Sequence, residues 1–246
     1  MTATSKSPVA IITGAGSGVG RCVAVLLAKR GYRLALAGRR RAPLEETAGS
    51  AKGPAQERHA VIPTDMGDPV AVRALIDETL TRFGRVDALV NNAAIVEMTP
   101  LDEADHEQMT RMLKINTVGP AAAIYALWPA FRSQGAGVVV NTSSMGTLSP
   151  YPGLAAYAAS KCALESLARS VANEAGDGGI RAYNVAPGAI ETAMLRSIIT
   201  EEQYPAAACL TPDSVAQVIA DLVTGDRKEE NGATIRLPNE ATAPAR

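Results

Sequence analysis

Cysteine and histidine are scarce in this chain, and their scarcity argues against two common kinds of scaffold and site. The three cysteines, Cys22, Cys162 and Cys209, are far apart and odd in number, so we expect no disulfide framework and a reducing compartment. The two histidines, His59 and His106, stand alone, so we expect surface positions for both and no histidine-based metal site. We therefore predict chemistry that uses neither a disulfide nor a metal.

A surplus of positive charge and long apolar runs are missing as well. The 24 Lys and Arg residues nearly cancel the 25 Asp and Glu residues, for a formal charge of -1, which leaves little to neutralise a nucleic-acid backbone. No stretch approaches the roughly 18 consecutive apolar residues of a membrane span. The polar start of the chain, residues 1–8, lacks the apolar run of a signal peptide. We expect a cytoplasmic protein that binds neither nucleic acid nor membrane.

What the chain does have is an alternation of short apolar strands and helical segments. Apolar residues make up 47% of the 246 residues and charged residues 20%, the balance of a globular protein with ample core material. The pattern predicts strands at 9–12, 34–37, 60–62, 87–90, 137–141, 180–185 and 233–237. It predicts helices at 19–29, 42–48, 69–82, 105–131, 155–174 and 212–223.

Unbroken apolar strands that alternate with helices are typical of a parallel sheet covered on both faces. We therefore predict an α/β fold, a Rossmann-type doubly wound parallel sheet of about seven strands. No linker divides the chain, so residues 1–246 are expected to form one domain. Residues 189–210 are the only long irregular insertion, and residues 241–246 are expected to be a frayed tail.

A glycine-rich run follows the first predicted strand and opens the first predicted helix. It reads Thr13-Gly-Ala-Gly-Ser-Gly-Val-Gly20. Glycines let the backbone approach a pyrophosphate closely, and the helix N-terminus supplies free N–H groups and a positive dipole end. No Gly-Lys-Ser/Thr follows, which excludes Walker-type phosphate binding. The run predicts a dinucleotide-binding loop, with an ordinary tight turn as the alternative.

The end of the second predicted strand bears on which dinucleotide binds. It reads Leu-Ala-Gly-Arg-Arg-Arg over 36–41, without the acid that ordinarily holds a ribose hydroxyl. A carboxylate would repel a 2′-phosphate, whereas Arg39 can bind one bidentately. The sequence therefore favours NADP, with NAD still possible and a solvated basic turn as the alternative for the three arginines.

Tyr157 and Lys161 stand four residues apart in a predicted helix, so their side chains share one face. A neighbouring Lys⁺ stabilises phenolate, which lowers the tyrosine pKa from about 10, and such a tyrosine transfers protons near neutrality. Ser144 follows the fifth predicted strand, at the edge of the sheet where ligand crevices form. Asn116 lies inside an otherwise apolar helix, where its poor helix propensity needs a reason.

In combination these motifs resemble the short-chain dehydrogenase/reductase family over residues 9–237. The glycine-rich loop matches, Asn91-Asn92-Ala93-Ala94 stands for the family's Asn-Asn-Ala-Gly, and Pro187-Gly188 matches its Pro-Gly turn. Ser144 rather than Ser143 matches the family serine, because it precedes Tyr157 by the usual 13 residues.

The resemblance implies hydride transfer between NADP(H) and a small-molecule carbonyl or secondary alcohol. It makes Tyr157 the general acid/base and gives Ser144 the task of stabilising charge on the substrate oxygen. It has Lys161 lower the tyrosine pKa and bind the nicotinamide ribose, and it has Asn116 hold a water that links Lys161 to solvent.

The resemblance also implies the cofactor contacts. Asp65 and the Met66 backbone would contact adenine, and Thr192 would bind the nicotinamide amide. Asn91 would line the cofactor cleft, while Asn92 would mainly tie strands together. The full set of expected contacts is Gly14, Ser17, Gly18, Val19, Gly20, Arg39, Asp65, Met66, Asn91, Ala93, Tyr157, Lys161, Pro187, Gly188, Ile190 and Thr192.

Two regions vary from the family's pattern or within it. The ending over 233–238, Ala-Thr-Ile-Arg-Leu-Pro, replaces the common Val-Asp-Gly-Gly and puts the usual C-terminal interface in question. The insertion at 189–210 corresponds to the segment that covers the substrate; its apolar residues indicate a lid, or alternatively packing onto the core, and Arg196 is its only cation. Because the family pairs its long helices across subunits, a homodimer or homotetramer is expected.

Two other functions fit parts of the pattern. A dinucleotide sensor or scaffold could keep this fold without the chemistry, although such proteins tend to lose the catalytic residues that are intact here. A methyltransferase with another nucleotide cofactor would leave Tyr157, Lys161 and the Pro187-Gly188 turn unexplained.

Overall fold

The computed structural model describes residues 7–55 and 59–239. Our expectations for the first six residues and for the tail at 241–246 lie outside these ranges. Within them, all seven strands and the six predicted helical segments occur where the apolar pattern predicted them, with bounds that differ by a few residues; one of the predicted helices is divided, and a short helix in the insertion at 189–210 was not predicted.

Seven strands form one parallel sheet. They are β1 Val9–Thr13, β2 Arg33–Gly38, β3 Ala60–Pro63, β4 Ala88–Asn91, β5 Gly137–Thr142, β6 Ile180–Pro187 and β7 Thr234–Leu237. Every neighbouring pair is parallel, in the order β3-β2-β1-β4-β5-β6-β7. The order reverses between β1 and β4, and ligands of open α/β sheets bind outside the carboxyl ends of the strands at that point. The predicted doubly wound sheet is confirmed.

Eight α-helices connect these strands. They are α1 Gly18–Lys29, α2 Arg41–Ser50, α3 Pro69–Phe83, α4 His106–Leu113, α5 Gly119–Gln134, α6 Ala155–Ala175, α7 Ala193–Arg196 and α8 Pro212–Thr224. The single helix predicted over 105–131 is divided, because a π-helical segment, Lys114–Val118, separates α4 from α5. Short 3₁₀ turns lie at Met145–Thr147 and Ala206–Ala208.

The two faces of the sheet bury separate cores, as a doubly wound fold requires. Strand β1 shows the alternation: Ile12 packs with residues of α1 and α8 on one face, and Ile11 packs with residues of α3, α5 and α6 on the other. Both isoleucines are fully buried. No helix within the described ranges is long and apolar enough to cross a membrane.

Helix α3 shows how local sequence sets these boundaries. Asp68 caps its start by accepting a hydrogen bond from Val70 N at 2.9 Å, and Pro69 occupies the first turn. Such a cap contributes about 1 kcal/mol. Gly84 ends the helix in the left-handed region, with φ at +76°, where an L side chain would be strained. Both ends of this helix are therefore set by residues within or next to it in the sequence.

Candidate active site

The glycine-rich loop after β1 is bound to the loop after β4 through Thr13. Its hydroxyl donates to Val90 O at 3.3 Å and accepts from the backbone N–H groups of Asn92 and Ala93, each at 3.0 Å. In return, Asn92 Nδ2 donates to Thr13 O at 3.1 Å and to Gly14 O at 3.4 Å. The two loops at the topological switch point therefore hold each other in place.

Two glycines of this loop are required by close backbone approaches. A Cβ added to Gly14 would lie 2.9 Å from Ala93 Cα, and the residue has φ at +66°. A Cβ added to Gly20 would lie 2.4 Å from Gly14 O. Ser17, at the N-cap of α1, makes no side-chain cap, and the first turn of the helix contains no acid. This end of α1 therefore keeps backbone N–H groups for an anion such as a pyrophosphate.

Two side chains that the sequence did not point to donate hydrogen bonds to backbone carbonyls of the glycine-rich loop. Arg21 Nη2 donates to Gly16 O at 2.7 Å, and Arg21 Nε donates to Thr47 Oγ1 at 3.2 Å. The hydroxyl of Thr47, which is fully buried, donates to Ala15 O at 2.9 Å. Arg21 lies one turn into α1 and directly follows the loop in sequence, so its contact with the loop could have been predicted. Thr47 lies 32 residues from Ala15, and nothing in the sequence indicates that the two are in contact.

The ends of β2 and β3 bring Arg39 and Asp65 to the same edge of the sheet. These strands are in register, with Gly38 opposite Pro63. Arg39 is exposed and joins no ion pair within the described ranges, whereas Arg41 lies 3.5 Å from Glu45. Asp65 is also exposed, and its Oδ1 accepts from a backbone N–H two residues on, at 2.8 Å. Met66, beside it, is buried.

Tyr157, Ser144 and Lys161 come together beyond the carboxyl end of β5. Ser144 caps the 3₁₀ turn that follows the strand, accepting from Gly146 N at 3.0 Å, and its hydroxyl is the hydrogen-bonding group that acts on Tyr157 to lower the phenol pKa. Lys161 is 2% exposed, and its Nζ donates to Thr142 O at 2.8 Å. Its Nζ lies 5.6 Å from the centre of the Tyr157 ring. The predicted common helix face is confirmed.

The electrostatics of this pair differ from the sequence expectation, which had Lys161 lower the tyrosine pKa. Burial raises the pKa of Tyr157 to about 12, and the hydrogen bond with Ser144 opposes this rise only in part. Burial lowers the pKa of Lys161 from 10.5 to about 8. Removal from water disfavours the charged forms of both groups. The phenol of Tyr157 is therefore protonated at neutral pH.

The neighbouring serine has a different environment. Ser143 is 2% exposed, and its hydroxyl donates to Glu165 Oε1 at 2.6 Å. Its hydroxyl is engaged away from Tyr157, which supports the choice of Ser144 made on spacing.

Asn116 lies in the π-helical segment, where it connects two parts of the site. Its Oδ1 accepts from Ile95 N at 2.9 Å, and its Nδ2 donates to Ile95 O and Ser160 Oγ, each at 3.0 Å. The segment's wider turn is the kind of bulge that often accompanies a functional residue. Asn116 thus contacts the residue before Lys161 rather than Lys161 itself, and the water-holding role stays a prediction.

The side chains of Asn91 and Asn92 both tie neighbouring strands together, as expected for Asn92, and a place for Asn91 in the cofactor cleft stays a prediction. Asn91 is 2% exposed and donates to Asn141 Oδ1 at 3.0 Å, so it ties β4 to β5, whereas Asn92 holds the glycine-rich loop. The ladder continues from Asn141 Nδ2 to Asn184 Oδ1 at 3.1 Å, and from Asn184 Nδ2 to Thr234 Oγ1 at 3.1 Å. These positions are in register across four strands. Two of the asparagines also donate to carbonyls of α6.

The insertion at 189–210 is closed at its base. Leu210 N donates to Ala189 O at 2.9 Å. Asn239, which is 2% exposed, accepts from Ala189 N at 2.7 Å and donates to Ala208 O at 2.9 Å. A Cβ added to Gly188, in the Pro-Gly turn, would lie 2.0 Å from Asn239 Oδ1. Asn239, the residue that follows the atypical ending at 233–238, therefore helps to hold this segment.

The first helix of the insertion lies against the glycine-rich loop. Thr192 caps α7, accepting from Leu195 N and donating to Ile190 O, each at 3.2 Å. Its methyl group lies 3.4 Å from where a Cβ on Gly18 would be. Arg196, the cation of the segment, is paired with Glu191. The structure thus brings the predicted Thr192 beside the predicted loop.

We expected surface positions for both histidines, and one of them is exposed. His106 is exposed at the start of α4. His59 is half-buried: its Nδ1 accepts from Leu34 N at 3.2 Å, and its Nε2 lies 2.9 Å from Ala51 O. Burial lowers its pKa. Across residues 7–55 and 59–239, no group of three or more His, Cys, Asp or Glu is placed to hold a metal ion.

Comparisons with known proteins agree with this geometry. The short chain dehydrogenase family matches residues 8–203 of the chain. The 2-(R)-hydroxypropyl-CoM dehydrogenase of Xanthobacter autotrophicus is 34% identical over 96% of this chain and 99% of its own.

Solved structures are similar over almost the whole length. The crystal structure of levodione reductase has a TM-score of 0.88 at 30% identity, over 97% of this chain and 98% of that chain. The 3-ketoacyl-(acyl-carrier-protein) reductase from Brucella melitensis, complexed with NADH, has a TM-score of 0.85 at 30% identity, over 93% of this chain and 96% of that chain. The chain belongs to the short-chain dehydrogenase/reductase family of oxidoreductases.

Proposed function

We propose that this protein transfers hydride between NADP(H) and a carbonyl or secondary alcohol, with Tyr157 as the general acid/base. The observation that carries the proposal is the cluster of Tyr157, Ser144 and Lys161 at the carboxyl edge of the sheet. The glycine-rich loop and the uncapped start of α1 lie at the same edge and fit a dinucleotide pyrophosphate.

A bound nicotinamide would supply or accept the hydride. In the reducing direction, Tyr157 donates its proton to the substrate oxygen, and its pKa of about 12 keeps it protonated at neutral pH. Ser144 donates a hydrogen bond to that oxygen and stabilises its developing charge. Lys161, with a pKa of about 8, can release a proton near neutrality to restore Tyr157. Asn116 holds the helix position next to Lys161.

Replacing Tyr157 by phenylalanine tests the proposal. We expect turnover to fall by about 10²-fold or more, because general acid catalysis is lost, while the fluorescence titration with NADPH gives an unchanged Kd. Tyr125→Phe is the matched control, since Tyr125 lies on α5 away from the proposed site and the substitution keeps the aromatic ring that the proposed subunit contact uses. Turnover of Tyr157→Phe at the wild-type rate would refute the assignment. Tight cofactor binding by a wild-type protein that turns over no carbonyl or alcohol would favour a silent sensor or scaffold.

The preference for NADP is proposed from Arg39, which is exposed beside the adenine end of the site and has no carboxylate partner within the described ranges. In Arg39→Ala we expect the Kd for NADPH to rise about tenfold, or about 1.4 kcal/mol, with the Kd for NADH unchanged. Arg41→Ala is the control, because Arg41 is engaged by Glu45. A wild-type protein that binds NADH as tightly as NADPH would contradict this assignment.

We further propose that the substrate is neutral and largely apolar. Four large apolar side chains remain exposed on the segments next to Tyr157 and Thr192; they are Met98, Leu148, Tyr151 and Met194. The one cation of the insertion is neutralised by its ion pair with Glu191. Neutral ketones and secondary alcohols are therefore the first panel for the turnover assay.

The remaining parts of the proposal concern the oligomeric state of the protein and its location. We propose a homo-oligomer, a homodimer or homotetramer, as the family resemblance implies. Val118 and Tyr125, 45% and 67% exposed on the outer face near the start of α5, supply apolar surface for such a contact. A cytoplasmic location stays a prediction from the cysteine content.

A further inference from the structure

Helix α6 carries a buried carboxylate that the proposed mechanism does not use. Glu165 lies one turn beyond Lys161 and is 7% exposed. Its Oε1 accepts two hydrogen bonds, from Ser143 Oγ at 2.6 Å and from Thr147 Oγ1 at 3.0 Å. A buried carboxylate needs such donors to offset its desolvation.

The two donors lie on either side of Ser144. Ser143 precedes it, and Thr147 ends the 3₁₀ turn that Ser144 caps. The Thr147 hydroxyl also lies 2.9 Å from Ser144 O, so its one proton is shared between that carbonyl and Glu165, and the Thr147 backbone N–H donates to Ser144 O at 3.1 Å. One carboxylate oxygen therefore holds both ends of the turn that presents the Ser144 hydroxyl.

Glu165 belongs to the same helix as Tyr157, two turns further along the same face. Its own backbone is tied to the sheet, because Asn184 Nδ2 donates to Glu165 O at 3.2 Å. The helix that carries the tyrosine and the turn that carries the serine are thus joined through this side chain.

We propose that Glu165 is a positioning residue that sets the Ser144 hydroxyl against the Tyr157 phenol. The inference rests on the proposed function of these two residues. Charge-assisted hydrogen bonds from hydroxyls are short and about twice as strong as neutral ones, which suits a link that must hold geometry within a fraction of an ångström. A tie between helix and strand that served stability alone would be made at lower cost by apolar packing.

Glu165→Leu and Glu165→Gln separate the two roles. Leucine removes both acceptor contacts, and we expect kcat to fall by about 10- to 100-fold, since small misplacements at a reacting centre cost this much, with the Kd for NADPH unchanged. Glutamine keeps an oxygen that accepts from Ser143 and Thr147, so it should restore most of kcat. In the oxidative direction, the pH profile of Glu165→Leu should move to higher pH, because Ser144 no longer opposes the raised pKa of Tyr157. Glu174→Leu, at an exposed position of α6, is the control.

Hydrogen exchange of the unliganded protein supplies a readout that needs no turnover. The N–H groups of Gly146 and Thr147 donate to Ser144, so exchange of residues 143–149 should become faster in Glu165→Leu and stay at the wild-type rate in Glu165→Gln. If Glu165→Leu does not fold, Ser143→Ala removes one of the two hydrogen bonds to Glu165 and should show a smaller loss of kcat and a smaller rise in exchange of residues 143–149.

Three outcomes overturn the inference: wild-type kcat with wild-type exchange in Glu165→Leu, a loss of kcat matched by loss of cofactor affinity, or faster exchange along all of α6. If the wild-type protein turns over no substrate, the proposed function fails, while local exchange at residues 143–149 still decides whether Glu165 holds the turn.

Discussion

Replacing Lys161 by methionine should remove a pH-dependent part of the protein's stability. Burial lowers the pKa of this amine from 10.5 to about 8 in the folded protein, while the unfolded chain keeps the ordinary value. Between these two pH values the unfolded chain binds a proton that the folded protein lacks, so the free energy of unfolding rises with pH. Below about pH 8 both states hold the proton and this gain in stability is lost.

The magnitude follows from the size of the shift. One pKa unit corresponds to about 1.36 kcal/mol, so the full shift of the Lys161 pKa changes the free energy of unfolding by about 3 kcal/mol. About 2 to 3 kcal/mol of this change falls between about pH 7 and pH 10. Tyr157, with a pKa of about 12, contributes little over this range. The wild-type protein should therefore gain this amount relative to Lys161→Met as the pH is raised.

Urea unfolding followed by circular dichroism at several pH values measures the difference. The slope of free energy against urea should be the same for both proteins, which checks that the unfolded states are comparable. Lys52→Met, at an exposed position, should track the wild-type protein at every pH. A wild-type minus Lys161→Met difference that stays flat from pH 7 to pH 10 would show that the amine is not desolvated, and the reasoning about the buried pair would fail.

Two further predictions concern the loop and the sheet. Gly14→Ala places a Cβ 2.9 Å from the backbone of Ala93 at a residue with φ at +66°, and it should lower the free energy of unfolding by about 1 to 3 kcal/mol in thermal unfolding. Gly49→Ala is the control: it has open space in α2 and should be neutral or stabilising by up to about 1 kcal/mol. Equal losses of stability in both variants would contradict this prediction. Asn141→Leu removes the middle of the asparagine ladder and should cost about 2 to 3 kcal/mol, because it leaves buried amide groups unpaired. An unchanged melting temperature for Asn141→Leu would show that the ladder adds nothing.

Features that depend on neighbours in the chain were predictable from the sequence. The strands follow from runs such as Val9 to Ile12, which are buried on both faces of the sheet. The glycine-rich loop follows because its backbone conformation needs Gly14 with positive φ. The common face of Tyr157 and Lys161 follows from the helical repeat. In each case the information lies within a few residues.

The division of the helix predicted over 105–131 was not predictable from its apolar pattern. That pattern continues through Lys114–Val118, yet the segment is π-helical. Asn116 exchanges hydrogen bonds with Ile95, 21 residues away, and donates to Ser160, 44 residues away. Contacts at that separation leave no periodic signal in the sequence.

What the sequence by itself determined is the fold, the family and the residue types gathered at the switch point, because apolar periodicity, glycine backbone freedom and i, i+4 spacing are local properties. Only the tertiary structure decided the protonation of those residues and their hydrogen-bond partners. It raised the pKa of Tyr157 where a lowered value was expected, since desolvation depends on every element packed around the phenol. It paired Asn91 and Asn92 with partners that lie 50 and 79 residues away. It also brought the Glu165 carboxylate into hydrogen-bond contact with Ser143, next to the turn that Ser144 caps. Hydrogen bonds between such distant elements form only once the sheet and its helices are assembled.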